Sequence, residues 1–276
     1  VAHPQVLRKT VMQNATAHNF IDQNVDRESL ENQVKDMYQR VAENPDGEFH
    51  FEMGRALCER LGYKPADLDK IPADAIKSFA GVGYYFHLAK LKQGESVIDL
   101  GSGSGTDTFI ASLHVGDTGS VTGIDMTDAQ RAKAAALRDE AGFTNIDYVK
   151  SYIEDLPAAD ASYDAVISNG VFNLSPDKAE VFSEIARILK PGGRLAISDI
   201  VSEKPLPEGV SCNADLWAAC IGGAMQEDDY CKAIKLSGLH VVTVEPMPYE
   251  FISDNATGAA DKWGVKAISL LAEKPS

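Results

Sequence analysis

Three glycines at alternate positions, Gly101, Gly103 and Gly105, close the short apolar run Val97-Ile98-Asp99-Leu100. Glycine at a strand-to-helix turn reaches backbone angles that other residues resist, and it lets a ligand press against the main chain. Downstream, Asp125 ends a second apolar stretch, Ser120-Val121-Thr122-Gly123-Ile124. An acid on the strand beside a glycine turn can accept hydrogen bonds from both hydroxyls of a ribose. The dinucleotide fingerprint Gly-x-Gly-x-x-Gly needs glycine in its sixth place, where this chain has Thr106, so a pyrophosphate fits poorly. A glycine turn and a ribose acid without a diphosphate cradle point to a nucleoside cofactor that carries no phosphate.

A parallel sheet with helices on both faces is the frame that can hold these residues, and the central chain alternates accordingly. Short β-branched runs predict strands at Val97–Leu100, Ser120–Ile124, Ile146–Tyr152, Tyr163–Ser168 and Arg194–Ile200. Helices are predicted from Thr106 to Leu113, from Asp128 to Ala141 (capped by Thr127 and ended by Gly142), and from Ser175-Pro176 to Leu189. Ligands of open α/β sheets sit beyond the carboxyl ends of strands, and Gly101, Asp125, Ile153, Asn169 and Asp199 all fall there. Ahead of this core, residues 1 to 25 are polar and weakly patterned. Arg27 to Val41 carries Leu30, Val34, Met37, Tyr38 and Val41 at helical spacing, and further helices are expected at Met53–Leu61 and within Pro65–Ala80. Behind it come an apolar helical face at Ala214–Met225, a helix at Asp228–Ser237, and strands at His240–Glu245 and Val265–Ala272. Pro246 to Asp261 reads as a loop near the substrate entrance.

Composition narrows the class. A chain of 276 residues with 44% hydrophobic and 24% charged residues has ample material for a globular core. A formal net charge of −15 disfavours nucleic acid and anionic membrane partners, which are held by excess Lys and Arg. The four cysteines (Cys58, Cys212, Cys220, Cys231) lack metal-ligand spacing, and a chain this long needs no disulfides, so no metal is expected. No apolar run approaches membrane-spanning length; a cytoplasmic protein with reduced thiols is the expectation.

Four segments in order resemble the S-adenosylmethionine-dependent methyltransferases of the Rossmann-like class I type. They are Val97 to Gly105, Gly123-Ile124-Asp125-Met126, Tyr152-Ile153-Glu154-Asp155-Leu156-Pro157, and Leu189-Lys190-Pro191-Gly192-Gly193. The resemblance implies a Rossmann-like, mostly parallel seven-stranded sheet with an antiparallel C-terminal edge. It also implies an N-terminal arm and helical lid over residues 1–78, and a core over 79–276 with a substrate-side insertion at about 203–226. S-adenosyl-L-methionine is the implied cofactor. On this footing Asp125 binds the ribose, Gly101, Ser102 and Gly103 form the turn, Asp99 orders the turn and the methionine amine, and Asn169 reaches the methionine moiety. Ile153 and Glu154 meet the adenine, Met126 adjoins the ribose acid, and Gln130 is either a contact or a structural residue.

Ile167 to Ser175, Cys220-Ile221-Gly222-Gly223-Ala224 and Gly123 to Thr127 further resemble the arsenite methyltransferases, which hold As(III) through cysteine thiolates at three places. Soft sulfur suits a soft metalloid. Cys220 matches one place; the other two are Val82 and Gly170 here, and one thiolate cannot replace three. The implied acceptor is another small molecule, met by Tyr84, Tyr85, Phe172, Trp217 and Cys220. Rings of this kind favour an apolar, planar or cationic partner. His87 and His50, flanking the predicted pocket, are candidate bases with structural roles as the alternative; Tyr38 on the lid helix closes over the cofactor or packs the core. Three further readings stand: an arsenite methyltransferase with an atypical thiol set, a non-catalytic S-adenosylmethionine-binding module and, more remotely, a nicotinamide dehydrogenase.

Overall fold

The structure is a computed structural model that describes residues 27–211 and 221–276. The expectations placed on residues 1 to 25, on Cys212, Trp217 and Cys220, and on the helical face from Ala214 lie outside the described residues.

Eight strands form one sheet: β1 (Ser96–Leu100), β2 (Ser120–Asp125), β3 (Ile146–Lys150), β4 (Tyr163–Asn169), β5 (Leu189–Ser202), β6 (Met225–Gln226), β7 (His240–Pro246) and β8 (Lys266–Glu273). Their order is β3-β2-β1-β4-β5-β8-β7, with the two-residue β6 attached to β5 as an addition to the expected seven. The first five run parallel, and β8 and β7 complete the sheet antiparallel, as the sequence leads one to expect. The central strands are buried along most of their length because both sheet faces are covered. Alternation sends neighbouring side chains to opposite sides. Val97, Ile167 and Ala196 join one core with Phe109 and Val115, whereas Ile98, Val166 and Ile197 join another with Phe182 and Tyr230.

The longer helices are α1 (Arg27–Glu43), α2 (Arg55–Leu61), α3 (Thr106–Val115), α4 (Asp128–Ala141), α5 (Lys178–Ile188), α6 (Glu227–Leu236) and α7 (Asp254–Trp263). Leu57, Leu61, Tyr63, Leu68 and Ile76 share the core of Val97 and Phe109, so the segment before residue 79 packs directly on the sheet. Helix α1 buries Leu30 and Val34 against Tyr38, Met126 and Leu174, which sets it over the carboxyl ends of the strands. Lys133 anchors it from α4 by donating to Ala42 O at 3.1 Å.

Several local expectations differ from the structure. The cap of α5 is Asp177, whose carboxylate accepts from Glu180 N at 3.1 Å, and Ser175-Pro176 stand outside the helix. Thr127 occupies the N-cap of α4 without a hydroxyl cap bond; its N–H donates to Asp125 Oδ1 at 2.8 Å, and its side chain also bonds Asp125. Strand β3 ends at Lys150, and Met225, expected on a helical face, pairs with Val201 as a strand. The stretch read as a loop contains α7, capped by the Ser253 hydroxyl; Ala256 and Ala259 are buried against Ile200 and Val265. Small alanines give a weak apolar signal, and Gly258 interrupts it.

Candidate functional site

A cavity of about 610 Å³ opens at the carboxyl ends of β1, β2 and β4. All ten sequence-predicted cofactor residues (Asp99, Gly101, Ser102, Gly103, Asp125, Met126, Gln130, Ile153, Glu154 and Asn169) line it, as does Tyr38. Gly101 and Gly103 have φ of +72° and +54°, the left-handed region that glycine adopts without strain. The N–H groups of Gly101 and Ser102 both donate to Ile124 O, at 2.8 and 2.9 Å, which staples the turn to β2. A Cβ built at Gly103 would meet nothing closer than 3.9 Å, so the turn offers bare backbone. Gly103 N donates to Asp125 Oδ2 at 3.0 Å. Burial pushes the Asp125 carboxyl above the usual carboxylate range, and the N–H groups of Thr127 and Gly103 draw it back. The Ser102 hydroxyl is buried and has no hydrogen-bond partner.

Gln130 is spent on structure. Its Oε1 accepts from Ser104 Oγ at 2.6 Å and its Nε2 donates to Tyr38 O at 2.9 Å, tying the glycine turn to α1. Asn169 is equally committed: its Oδ1 accepts from Val82 N (2.8 Å) and Gly83 N (3.3 Å), and its Nδ2 donates to Gly83 O, Tyr63 Oη and Asp107 Oδ2 at 3.0–3.1 Å. Asp107 and Tyr63 escaped the sequence reading. The signal available was the position of Asp107, just past the third glycine, which also suits an ordinary first-turn acid. Lys178 is a second omission. Its buried ammonium donates to Ser175 O at 2.9 Å, and burial pushes it down to about 8.

The predicted bases and most predicted substrate contacts stand elsewhere. His87 is 43% exposed, pairs with Glu245 at 2.8 Å and stacks on Tyr84. His50 packs edge-on to Phe51 beside the outer face of α1. Tyr84 packs against Tyr63, Tyr85 is fully buried with its hydroxyl on Asp107, and Phe172 is fully buried against Phe182. None of these five lines the cavity. Aromatic rings carry large apolar area, and here the core took it. Eight lining side chains are carboxylic acids (Glu31, Asp99, Asp107, Asp125, Glu154, Asp155, Asp177 and Glu180), and among the described lining residues none is Lys, Arg or His.

The 3-2-1-4-5 parallel order with an antiparallel final pair, the glycine turn after β1 and the acid ending β2 define the class I S-adenosylmethionine-dependent methyltransferases. Residues 91–238, more than half of the chain, match the family model described as "Methyltransferase domain", and the chain belongs to that family. It is 40% identical over 198 residues to an arsenite methyltransferase of Halobacterium salinarum, covering 71% of this chain and 50% of the relative. It is 44% identical over 138 residues to the human arsenite methyltransferase, covering 47% of this chain and 37% of that protein. A crystal structure of an arsenic(III) S-adenosylmethionine methyltransferase from Chlamydomonas reinhardtii superposes with a TM-score of 0.60 at 30% identity, covering 82% of this chain and 75% of that one. The chain thus spans about half or less of the length of the curated relatives it matches.

The site fits the cofactor of this class. An orphaned hydroxyl at Ser102, bare backbone at Gly103 and an acid-rich lining suit a molecule with a ribose, an amino-acid tail and a positive sulfonium. Val82 and Gly170, where the resemblance puts two cysteines in the arsenite enzymes, adjoin each other: a Cβ on Gly170 would lie 3.2 Å from Val82 Cγ1. Val82 is 1% exposed and belongs to an apolar cluster with Ile200 and Ile221.

Proposed function

We propose that the chain transfers a methyl group from S-adenosylmethionine to a small-molecule acceptor other than arsenite, by in-line displacement. When bound, the cofactor supplies an electrophilic methyl carbon on a sulfonium centre. Asp125 holds the ribose hydroxyls with the lone pairs left over from its two backbone bonds. Ser102 and the backbone of the glycine turn take the amino-acid tail, and Ile153 and Glu154 flank the base. Leu30, Val34 and Tyr38 on α1 exclude water from the cavity. Alignment and desolvation of this kind lower barriers by up to roughly 7–11 kcal/mol in intramolecular models. A thiolate or an activated carbon nucleophile needs no strong protein base, which agrees with the positions of His50 and His87 outside the cavity.

One observation carries the reading: the Asp125 carboxylate is bound to Gly103 N in the same cavity as the free Ser102 hydroxyl. Against arsenite stands the Val82–Gly170 contact, which fills with apolar carbon the place of two thiols. Reduced thiols and the net charge of −15 support a cytoplasmic enzyme without nucleic-acid or membrane partners. Among the described residues no helix is long and apolar enough to cross a membrane.

Calorimetry tests the cofactor half of the proposal. S-adenosylmethionine should bind, and Asp125→Ala should weaken it about tenfold or more, because a hydrogen bond to a charged group is worth about 1.5–3 kcal/mol. Equal affinity in the variant sinks the ribose assignment. For the acceptor, release of S-adenosylhomocysteine should not depend on arsenite; arsenite-dependent turnover that Cys220→Ser abolishes would restore the atypical-thiol reading.

A further inference from the structure

Two buried carboxyls, Asp99 and Asp107, line the cavity, and they are not equivalent. Asp99 is 2% exposed and accepts one side-chain hydrogen bond, from Thr108 Oγ1 at 2.6 Å. Asp107 is 6% exposed and accepts three: Tyr63 Oη to Oδ1 at 2.6 Å, Tyr85 Oη to Oδ2 at 2.7 Å and Asn169 Nδ2 to Oδ2 at 3.1 Å. Two buried charges of one sign in one cavity repel, so a proton settles on the group with fewer donors. Burial and the neighbouring Asp107 drive Asp99 well above the usual carboxylate range. Burial also raises Asp107, but its three donors oppose the rise. With three donors against one, Asp107 is the better seat for the charge of the pair.

An ionised carboxylate only accepts hydrogen bonds, and an amide has one accepting and one donating end. With Asp107 charged, the NH2 of Asn169 faces it, as it also faces Gly83 O. The carbonyl oxygen is thereby turned toward Val82 N and Gly83 N. The segment so gripped has no slack on its other flank, where a Cβ at Gly83 would lie 2.6 Å from Ser198 Oγ. Gly81, Asn169 and Gly170 are all walls of the cavity.

We infer that Asp107 is a positioning residue: its charge, together with Gly83 O, holds one orientation of the Asn169 amide, and that amide fixes the backbone of Val82 and Gly83 behind the cavity wall at Gly81. The consequence for methyl transfer rests on the function proposed above; the wall itself does not. Asn169 thus serves the wall besides lining the cavity, where the sequence led to the expectation of a methionine contact.

The test reads residue-resolved amide hydrogen exchange at Val82 and Gly83 in the full chain, with S-adenosylmethionine affinity measured in parallel. Asp107→Asn should lower protection at both amides by about tenfold or more, since either end of the Asn169 amide can then face position 107. Adding Asn169→Asp to that variant should recover part of the loss, because a carboxylate at 169 again accepts from Val82 N and Gly83 N while the new amide donates to it, with the bond to Gly83 O given up. Unchanged protection in Asp107→Asn, or a double variant no better than the single, overturns the inference. Should Asp107→Asn fail to fold, Tyr63→Phe removes one donor from the carboxylate and should loosen the same two amides several-fold; no change there is equally fatal. A wild-type chain that binds no S-adenosylmethionine would sink the methyltransferase reading and leave the exchange result to be judged by itself.

Discussion

The two halves of the strand-end row treat their polar side chains in opposite ways. At the tips of β1 and β2, the Asp125 carboxylate is held by the backbone N–H groups of Gly103 and Thr127 and by the Thr127 side chain, and the Ser102 hydroxyl has no partner. At the tips of β4 and β5, Asn169 and Asp199 are used up internally. Asp199 is 1% exposed and accepts from Tyr230 Oη at 2.7 Å, Ile200 N at 2.9 Å and Asn173 N at 3.3 Å. It lies behind the cavity wall and touches nothing within the cavity. One half keeps hydrogen-bonding capacity in reserve for an incoming molecule; the other spends its capacity on shape.

The sharpest way to break this contrast is Asp199→Ala. It strands the buried Tyr230 hydroxyl and removes a buried carboxylate that acts on Lys178, and it should cost roughly 3–5 kcal/mol in denaturant unfolding. A loss under about 1 kcal/mol would put Asp199 with the reserve half. Next in size is a pH effect. Burial pushes the Asp199 carboxyl up to about 6 from its ordinary 3.8. A group whose folded pKa is raised contributes stability that is full below about pH 4 and lost as pH climbs to about 6. The stability of the wild type relative to Asp199→Asn should therefore fall across that window by about 3 kcal/mol, each tenfold change in proton affinity being worth about 1.4 kcal/mol. A flat difference curve refutes the role of burial. The smallest effect belongs to Ser102→Ala. Stability should stay within about 0.5 kcal/mol, because no bond is lost, while S-adenosylmethionine affinity falls about threefold to tenfold. A clear drop in stability would show that the hydroxyl was already committed.

The same contrast explains what could be read from the chain before its structure. The receiving half is local: a β-branched run, three alternate glycines and an acid at the next strand end state their geometry within short windows. The shaped half is written across long separations. Asp107 meets Tyr63 and Asn169, which are 44 and 62 residues away, and nothing near Asp107 announces either partner. His87 follows Tyr84 and Tyr85, two of the expected acceptor contacts, yet its ring pairs at the surface with Glu245, 158 residues on. The parallel sheet and its antiparallel edge were legible because strand runs and glycine breaks repeat in order. Helix α7 was not, since its buried face is two alanines.

Gln130 joins Ser104 of the glycine turn to the Tyr38 carbonyl of α1 through a single side chain. Strain at either end is therefore passed to the other without a relay of packed residues. The glycine turn and α1 thus meet at one amide, and a substitution at Gln130 would cut both attachments at once.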